Sequence, residues 1–580
     1  MKPIDLRVEG IRQGAIEVAR NRLMVVMALF AFGFMTLAGK LVTVGVFQAD
    51  TTAYRQKANA NTSLLMARAD IVDRNGVILA TNLKTPSLAV LRSGLRSAPE
   101  ELAPKIAAIF PGIDEEKALK ILSSQRSHSW IKRNLTPKQE FDVKNIGDPG
   151  LVTSDAEKRV YPHGRLLSHI LGSVDVDNRP SSGVEAFFND QLIDPTKSEH
   201  PLVLSLDIRL QHILNQVLST EKEKFSARGA AGIILDVTNG EVLALSSLPD
   251  FDPNDTSGPQ TADQMNKVLQ GVYELGSGFK TFTIASGLEY NVVDLSDEYD
   301  ATKPVRIGGF TIHDDHPKND WLNIPEIFVH SSNIGTLKMA QDIGVDRQKA
   351  FFDKLGLFDI TGIEVREKSR PLLPAQWGPT ELATTAYGHG IAVTPLHLAS
   401  GVAAMVNGGR LNPATLLRKD AANIEGVTLA SSSKVDVQSS SQVISEETSE
   451  VMRNLLHLVV EYGTGKNAKV DGYLIGGKTG TAIKPYEKKD GVRKRGYNKK
   501  AVISSFISVF PIDEPKYLVF AMLDEPKGIK ETFNLISGGM VAAPMVGDII
   551  RRVGPLMGVE PKKQNEFEYD DLMLVSGVKE

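Results

Sequence analysis

From Leu23 to Phe47 the chain is apolar for 25 residues, interrupted only by Gly33, Thr36, Gly39, Lys40, Thr43 and Gly45. As a helix this stretch is about 37 Å long, enough to cross a hydrocarbon layer of ~30 Å. Lys40 can extend its ammonium along its own apolar stem to the outer surface. Lys2, Arg7, Arg12, Arg20 and Arg22 precede the stretch, and a basic flank of this kind stays in the cytoplasm. The pattern predicts a cytoplasmic head over residues 1–22, a single-pass anchor over 23–47, and all later residues on the far side of the membrane. A cleaved signal peptide carries a shorter apolar run of about 7–15 residues, so the length favours an anchor, with the bulk of the chain periplasmic or extracellular.

The chain beyond the anchor must fold in water. The whole protein has 580 residues, with 42% hydrophobic and 23% charged, the balance of a multidomain globular protein rather than a disordered or polytopic one. Its formal net charge of −4 has no basic excess to hold nucleic acid. With Cys at 0 there is no disulfide, thiolate metal site or thiol nucleophile. Any covalent chemistry therefore falls to hydroxyls and amines.

Residues 48–200 read as a polar stalk leading into a mixed α/β region. Within it Asn75-Gly76 signals a hairpin, and Leu102–Phe110 and Glu115–Leu122 carry helical apolar spacing. Residues 201–555 form a larger unit. Asp207 caps a helix from Ile208, and two strands flank Thr238-Asn239-Gly240. Residues 556–580 read as a charged tail, and Ser431–Ser441 as a loop.

Three short motifs carry chemistry. Ser277-Gly278-Phe279-Lys280 opens an apolar run with helical spacing, which puts the hydroxyl and the amine on one face. An amine among apolar groups loses proton affinity, so Lys280 can take the Ser277 proton. Four other Ser-x-x-Lys pairs occur in the chain, so this motif alone decides nothing. Ser331-Ser332-Asn333 comes 54 residues later and sets two polar side chains into an apolar run, while Lys478-Thr479-Gly480-Thr481 lies 147 residues further on, in a strand-like segment. Small residues there let a substrate backbone approach a strand edge.

This ordered set is the signature of penicillin-binding proteins and class A β-lactamases. The resemblance extends over about residues 68–545, through Arg68-Ala69-Asp70-Ile71-Val72-Asp73-Arg74-Asn75-Gly76, Arg159-Val160-Tyr161-Pro162, Gly183-Val184-Glu185, Leu206 to Gln211, Phe251 to Asn254, Tyr387 to Pro395 and Gly538 to Pro544. These landmarks resemble the class B penicillin-binding proteins. Gly278, Ala69 and Leu275 depart from residues common in that family, and none of the three removes a reacting group.

The resemblance implies an α+β multidomain fold: a transmembrane helix, a pedestal of the dimerisation type, and a serine D,D-transpeptidase domain with a central antiparallel sheet flanked by helices. It implies that Ser277 attacks the penultimate D-Ala carbonyl of a donor stem peptide and holds an acyl-enzyme until an acceptor amine displaces it. β-Lactams would acylate the same serine. Lys280 would be the first base, Ser331 and Lys478 a proton relay, and Asn333 a ligand for the donor amide that also holds Lys280. Thr479 and Thr481, with Gly480 between them, would receive the donor carboxylate beside Lys478, and the N–H groups of Ser277 and Thr481 would form the oxyanion hole. The short head, the nearness of Arg68 to the anchor and the Tyr387–Pro395 landmark resemble the division-specific branch, which implies a septal glycosyltransferase and other division proteins as partners.

No cofactor or metal is expected. His313-Asp314-Asp315-His316 resembles a ligand cluster, but four consecutive residues converge poorly on one ion, and a polar loop is the simpler reading. Lys484–Lys500 holds eight basic and two acidic residues and reads as a solvated hairpin. The alternatives are an elongation-specific transpeptidase, a β-lactamase, against which the anchor and pedestal stand, and a non-catalytic β-lactam sensor or division scaffold, against which the intact motifs stand.

Overall fold

The computed structural model describes residues 5–42, 68–194, 200–255, 261, 264–419, 440–486, 488–489, 492–493 and 496–562. Two compact units result, Met1–Met66 and Ala67–Glu580. The first contains one helix, Asp5–Val42, longer at its start than the apolar stretch because residues before Leu23 continue the helical turn. Its segment Arg20–Lys40 is apolar and long enough to cross a membrane. The expected stalk, most of the serine-rich loop and the last 18 residues of the tail lie outside the described residues.

The second unit begins with a five-stranded sheet. Ile71–Val72 turns through Asn75-Gly76, with Gly76 at φ +83°, into the long strand Ile78–Leu91. That strand pairs with both His128–Lys132 and Leu151–Val160. The helices Pro99–Ile109, Glu115–Leu122 and Pro137–Ile146 cover its outer half over a separate small core that includes Leu88, Leu102, Ile106, Phe110 and Leu122. Asp114 accepts from Lys117 N and starts the second helix, and a Thr136–Gln139 capping box starts the third.

Among the described residues, the inner half of the pedestal shares its core with the larger domain. Ala69, Ile71, Leu79, Tyr161 and Val184 belong to the same apolar cluster as Ile233, Leu245 and Phe520 of the larger domain. Leu202–Val203, which the boundary at 201 assigns to the larger domain, pairs in parallel with Ile71–Val72. The division between the two segments thus runs through a sheet.

Several sequence landmarks meet here. Glu185 is fully buried between Arg68 and Arg159, with N···O distances of 2.8 and 2.6 Å. The Tyr161 N–H donates to Asn254 Oδ1, and Asn254 Nδ2 donates back to the Tyr161 carbonyl, both at 3.0 Å. Asn75 donates to Asp207 at 3.1 Å. A buried carboxylate is tolerated only when paired and hydrogen-bonded, and residues 117 apart in sequence supply the pairing.

The larger domain is built on a five-stranded antiparallel sheet in the order Gly476–Pro485, Tyr497–Phe510, Tyr517–Asp524, Gly229–Asp236, Val242–Leu248. Both faces are covered, so the middle strand Tyr517–Asp524 is apolar on both sides from Leu518 to Leu523. Along Tyr517–Asp524 the residues Leu518, Phe520 and Met522 enter one core, and Val519, Ala521 and Leu523 enter the other. That alternation is the two-residue period of a strand. Helices Ile208–Lys224 and Gly538–Val553 cover the second face. On the first face lies Lys280–Glu289, a helix buried on every side from Lys280 to Gly287, the pattern of a core helix.

Candidate active site

Ser277 sits in a single 3₁₀ turn, Gly276–Phe279, that runs directly into the helix beginning at Lys280. Gly276 adopts φ +56°, and a Cβ there would stand 2.6 Å from the Thr481 carbonyl oxygen. Only glycine permits both the left-handed backbone and that approach. Phe279 and Phe282 pack edge-to-face on each other and on Phe352, locking the first turn of the helix into the core.

Lys280 is completely buried. Burial lowers its pKa to about 7, against the opposing pull of Asp314 and Asp315. Its Nζ donates to the Ser331 hydroxyl at 3.0 Å and to the Ser331 carbonyl. Among the described residues no hydrogen bond joins Lys280 to Ser277 or to Asn333, so the hold on Lys280 expected of Asn333 comes from Ser331.

Ser331 occupies φ +57° at the end of helix Ile324–Val329. A non-glycine residue there costs roughly 1–2 kcal/mol, and strain of this kind persists only where its surroundings enforce it. Ser332 then caps helix Asn333–Ile343, its Oγ accepting from Gly335 N at 3.0 Å. Asp314 completes the cap. Its carboxylate accepts from Ser332 Oγ at 2.7 Å, Asn333 N at 2.6 Å and Ile334 N at 2.9 Å. The Asn333 amide donates to the His313 carbonyl at 3.0 Å, which fixes the side chain and leaves its oxygen available to a ligand.

The third motif lies on the edge strand Gly476–Pro485, with Lys478 opposite Ile507 and Thr481 opposite Ser504. Lys478 is completely buried and donates to the Ser331 hydroxyl at 2.9 Å. Burial and the neighbouring Lys280 hold its pKa well below the ordinary lysine range. Thr479 Oγ1 is 2.8 Å from Thr464 Oγ1. Thr481 Oγ1 accepts from Gly538 N at 2.9 Å, so its own proton is free to donate. A Cβ on Gly480 would lie 2.8 Å from the Leu275 carbonyl oxygen, so the strand runs in close contact with the nucleophile turn.

The structure therefore brings Lys280, Ser331 and Lys478 into one hydrogen-bonded group and packs Ser277 and the Lys478–Thr481 strand against each other. Asp314 is the functional residue that local sequence pattern did not reveal. It falls in the His-Asp-Asp-His run, where no metal-holding group occurs among the described residues, and its role as a cap exists only because the fold carries the loop to the start of the Asn333 helix.

A chain with this sheet, a Ser-x-x-Lys pair whose lysine is buried and a Lys-Thr-Gly strand beside it is a serine acyltransferase of the penicillin-recognising kind. Residues 230–551 match the penicillin-binding protein transpeptidase domain, and residues 64–191 match the penicillin-binding protein dimerisation domain. The chain belongs to the penicillin-binding protein transpeptidase family, and it is of the class B, FtsI type. It is 36% identical over 507 residues to the probable peptidoglycan D,D-transpeptidase FtsI of Caulobacter vibrioides, covering 86% of this chain and 82% of that one. Stage V sporulation protein D of Bacillus subtilis is 31% identical over 95% of this chain and 88% of its own length. FtsI of Escherichia coli is 26% identical over 88% and 87%. In fold, penicillin binding protein 3 of Mycobacterium tuberculosis complexed with ampicillin aligns with a TM-score of 0.66 at 23% identity, covering 86% of this chain and 96% of that one.

Proposed function

We propose that this enzyme cross-links peptidoglycan at the division septum through an acyl-enzyme on Ser277, from the outer face of the inner membrane. The observation that carries the mechanism is the Ser331 hydroxyl lying between Lys280 and Lys478. Lys280, with proton affinity lowered to about 7, takes the Ser277 proton as Oγ attacks the penultimate D-Ala carbonyl. The N–H groups of Ser277 and Thr481 meet the developing oxyanion. The proton then passes through Ser331 and Lys478 to the departing D-Ala amine. Asn333 receives the donor amide, and the Thr479 and Thr481 hydroxyls receive its carboxylate. An acceptor amine finally displaces Ser277.

The site assignment is tested by fluorescent penicillin and peptide mapping of the labelled protein. Label on the Ser277 peptide, lost in Ser277→Ala, supports it; label retained in that variant removes Ser277 from the mechanism. The topology is tested by a phosphatase that folds only outside the cytoplasm, fused after residue 60, which should be active. Residues 1–22 would then be cytoplasmic and the pedestal periplasmic. The septal role predicts filaments on depletion, whereas round cells would assign the enzyme to elongation. Replacing Leu23–Phe47 should impair recruitment by the septal glycosyltransferase and other division proteins while β-lactam acylation persists.

A further inference from the structure

Against the nucleophile turn lies a polar cluster that the acylation machinery leaves unused. Glu274, three residues before Ser277, accepts at Oε1 from Tyr497 Oη and from Gly390 N, both at 3.1 Å. Its other oxygen, Oε2, is buried with no hydrogen-bond partner. The His389 ring stands between Tyr387 and Tyr497, with centroid distances of 5.2 and 6.2 Å. His389 Nδ1 is likewise buried without a hydrogen bond of normal geometry, and the Tyr387 backbone lies close enough to the ring to raise its proton affinity. The loop carrying His389 is pinned to the nucleophile turn, since Gly388, at φ +81°, lies where any Cβ would collide with the Gly276 carbonyl. Two unsatisfied buried polar atoms from separate segments, within one cluster and one turn from the nucleophile, are costly to a fold unless a ligand uses them.

We infer that Glu274 and His389 form the receiving site for the acceptor amine, with the Glu274 carboxylate attracting the ammonium and the His389 imidazole taking its first proton. This rests on the transpeptidase reading. An amine in water arrives protonated and cannot attack. Passing one proton to His389 leaves a neutral amine, whose nitrogen bonds to the acyl carbon while the bond from that carbon to Ser277 Oγ breaks. The second proton leaves the nitrogen through Lys280 and returns to Ser277 Oγ, and His389 afterwards releases its proton to water. The products are an amide and the free serine, with no other reactant needed.

The surroundings suit a base. Burial, and then Lys280, lower the proton affinity of His389, while the Tyr387 backbone and the Asp315 charge raise it, and the rings of Tyr387 and Tyr497 flank it. Burial raises the pKa of Glu274, and its hydrogen bonds from Gly390 and Tyr497 oppose the rise, so an incoming cation is the charge that would favour its ionised form.

The test separates the two half-reactions in the full-length enzyme in detergent. Acylation is read as the rate of fluorescent penicillin labelling. Transfer is read as product formed from a D-alanyl thioester donor and D-alaninamide, an amine without a carboxylate. In His389→Gln, the ratio of transfer to acylation should fall tenfold or more, and the decline of that ratio toward acidic pH in the parent, which the limb shared through Lys280 does not produce, should disappear. In Glu274→Gln the KM for D-alaninamide should rise more than kcat falls. His389→Tyr, which keeps a ring between Tyr387 and Tyr497, should show the same loss of transfer and guards against a packing effect in the glutamine variant. An unchanged ratio of transfer to acylation in both His389 variants, or acylation falling in step with transfer, would overturn the inference. Failure of Ser277 to label in the parent would instead overturn the transpeptidase reading itself.

Discussion

Lys280 and Lys478 share a single acceptor, the Ser331 hydroxyl, at 3.0 and 2.9 Å. Two buried ammonium groups this close would repel strongly in a medium of low dielectric, and a hydroxyl can donate one proton while accepting others. At least one lysine is therefore neutral at rest, and Ser331 can carry a proton from one to the other without moving its oxygen.

The first prediction is the pH profile that a neutral Lys280 requires. The acylation rate should rise with pH along a limb centred near 7, the value to which burial lowers Lys280, because only the neutral amine accepts the serine proton. Stability has the same sign. Between about 7 and the ordinary 10.5 the unfolded chain binds this proton and the folded one does not, so stability rises with pH through that window. Lys280→Met should abolish both the limb and this contribution. A labelling rate that stayed flat from about pH 5.5 to 8.5, a range spanning the lowered value on both sides, would exclude Lys280 as the base.

The second prediction concerns Asp314. Its carboxylate caps the Asn333 helix and also favours the charged form of Lys280. Asp314→Asn should cost about 1–2 kcal/mol by weakening the cap, visible as a lower Tm. It should also shift the acylation limb to lower pH, since one negative charge near Lys280 is gone. A limb moving to higher pH would contradict that electrostatic assignment.

Asp314 also shows where sequence reading ends. The three motifs were legible because each is compact: Ser277 and Lys280 are one helical turn apart, Ser331 and Asn333 flank one cap, and Lys478 to Thr481 share one strand. The helix over Glu115–Leu122 and the turn at Asn75-Gly76 were legible from period and turn chemistry for the same reason. Contacts that exist only through the fold were not. The parallel pairing of Ile71–Val72 with Leu202–Val203, 131 residues away, leaves no local trace, and neither does the approach of Asp314 to Asn333. The Arg68–Glu185–Arg159 cluster stood in the sequence as separate landmarks whose common purpose only the structure displays.

The third prediction addresses the nucleophile turn. Gly276→Ala must either place a side chain 2.6 Å from the Thr481 carbonyl or push the Lys478–Thr481 strand away from Ser277. The left-handed backbone adds roughly 1–2 kcal/mol of strain, and a misplacement of ~1 Å can cost about 100-fold in rate. Penicillin labelling should slow at least tenfold while the Tm falls by only a few degrees. Labelling at the parent rate would show that the turn and strand need not be in contact for acylation.

The fourth prediction isolates the carboxylate site. Thr481 Oγ1 already accepts a hydrogen bond from Gly538 N at 2.9 Å, so its own proton is free for a substrate acceptor, and Thr479, tied to Thr464, lies two residues before it on the same edge strand. With Lys478 held well below its ordinary proton affinity and committed to Ser331, the threonine hydroxyls become the principal neutral donors for a substrate carboxylate. Thr481→Val preserves shape but removes both the donor and the acceptor for Gly538, so some loss is structural and common to every substrate. The informative quantity is therefore a ratio. Acylation by a carboxylate-bearing β-lactam should fall about tenfold more than acylation by an analogue lacking that group, equivalent to ~1.4 kcal/mol for one charge-assisted hydrogen bond. Equal losses on the two would confine Thr481 to anchoring the Gly538 helix and leave carboxylate recognition to Thr479 and Lys478.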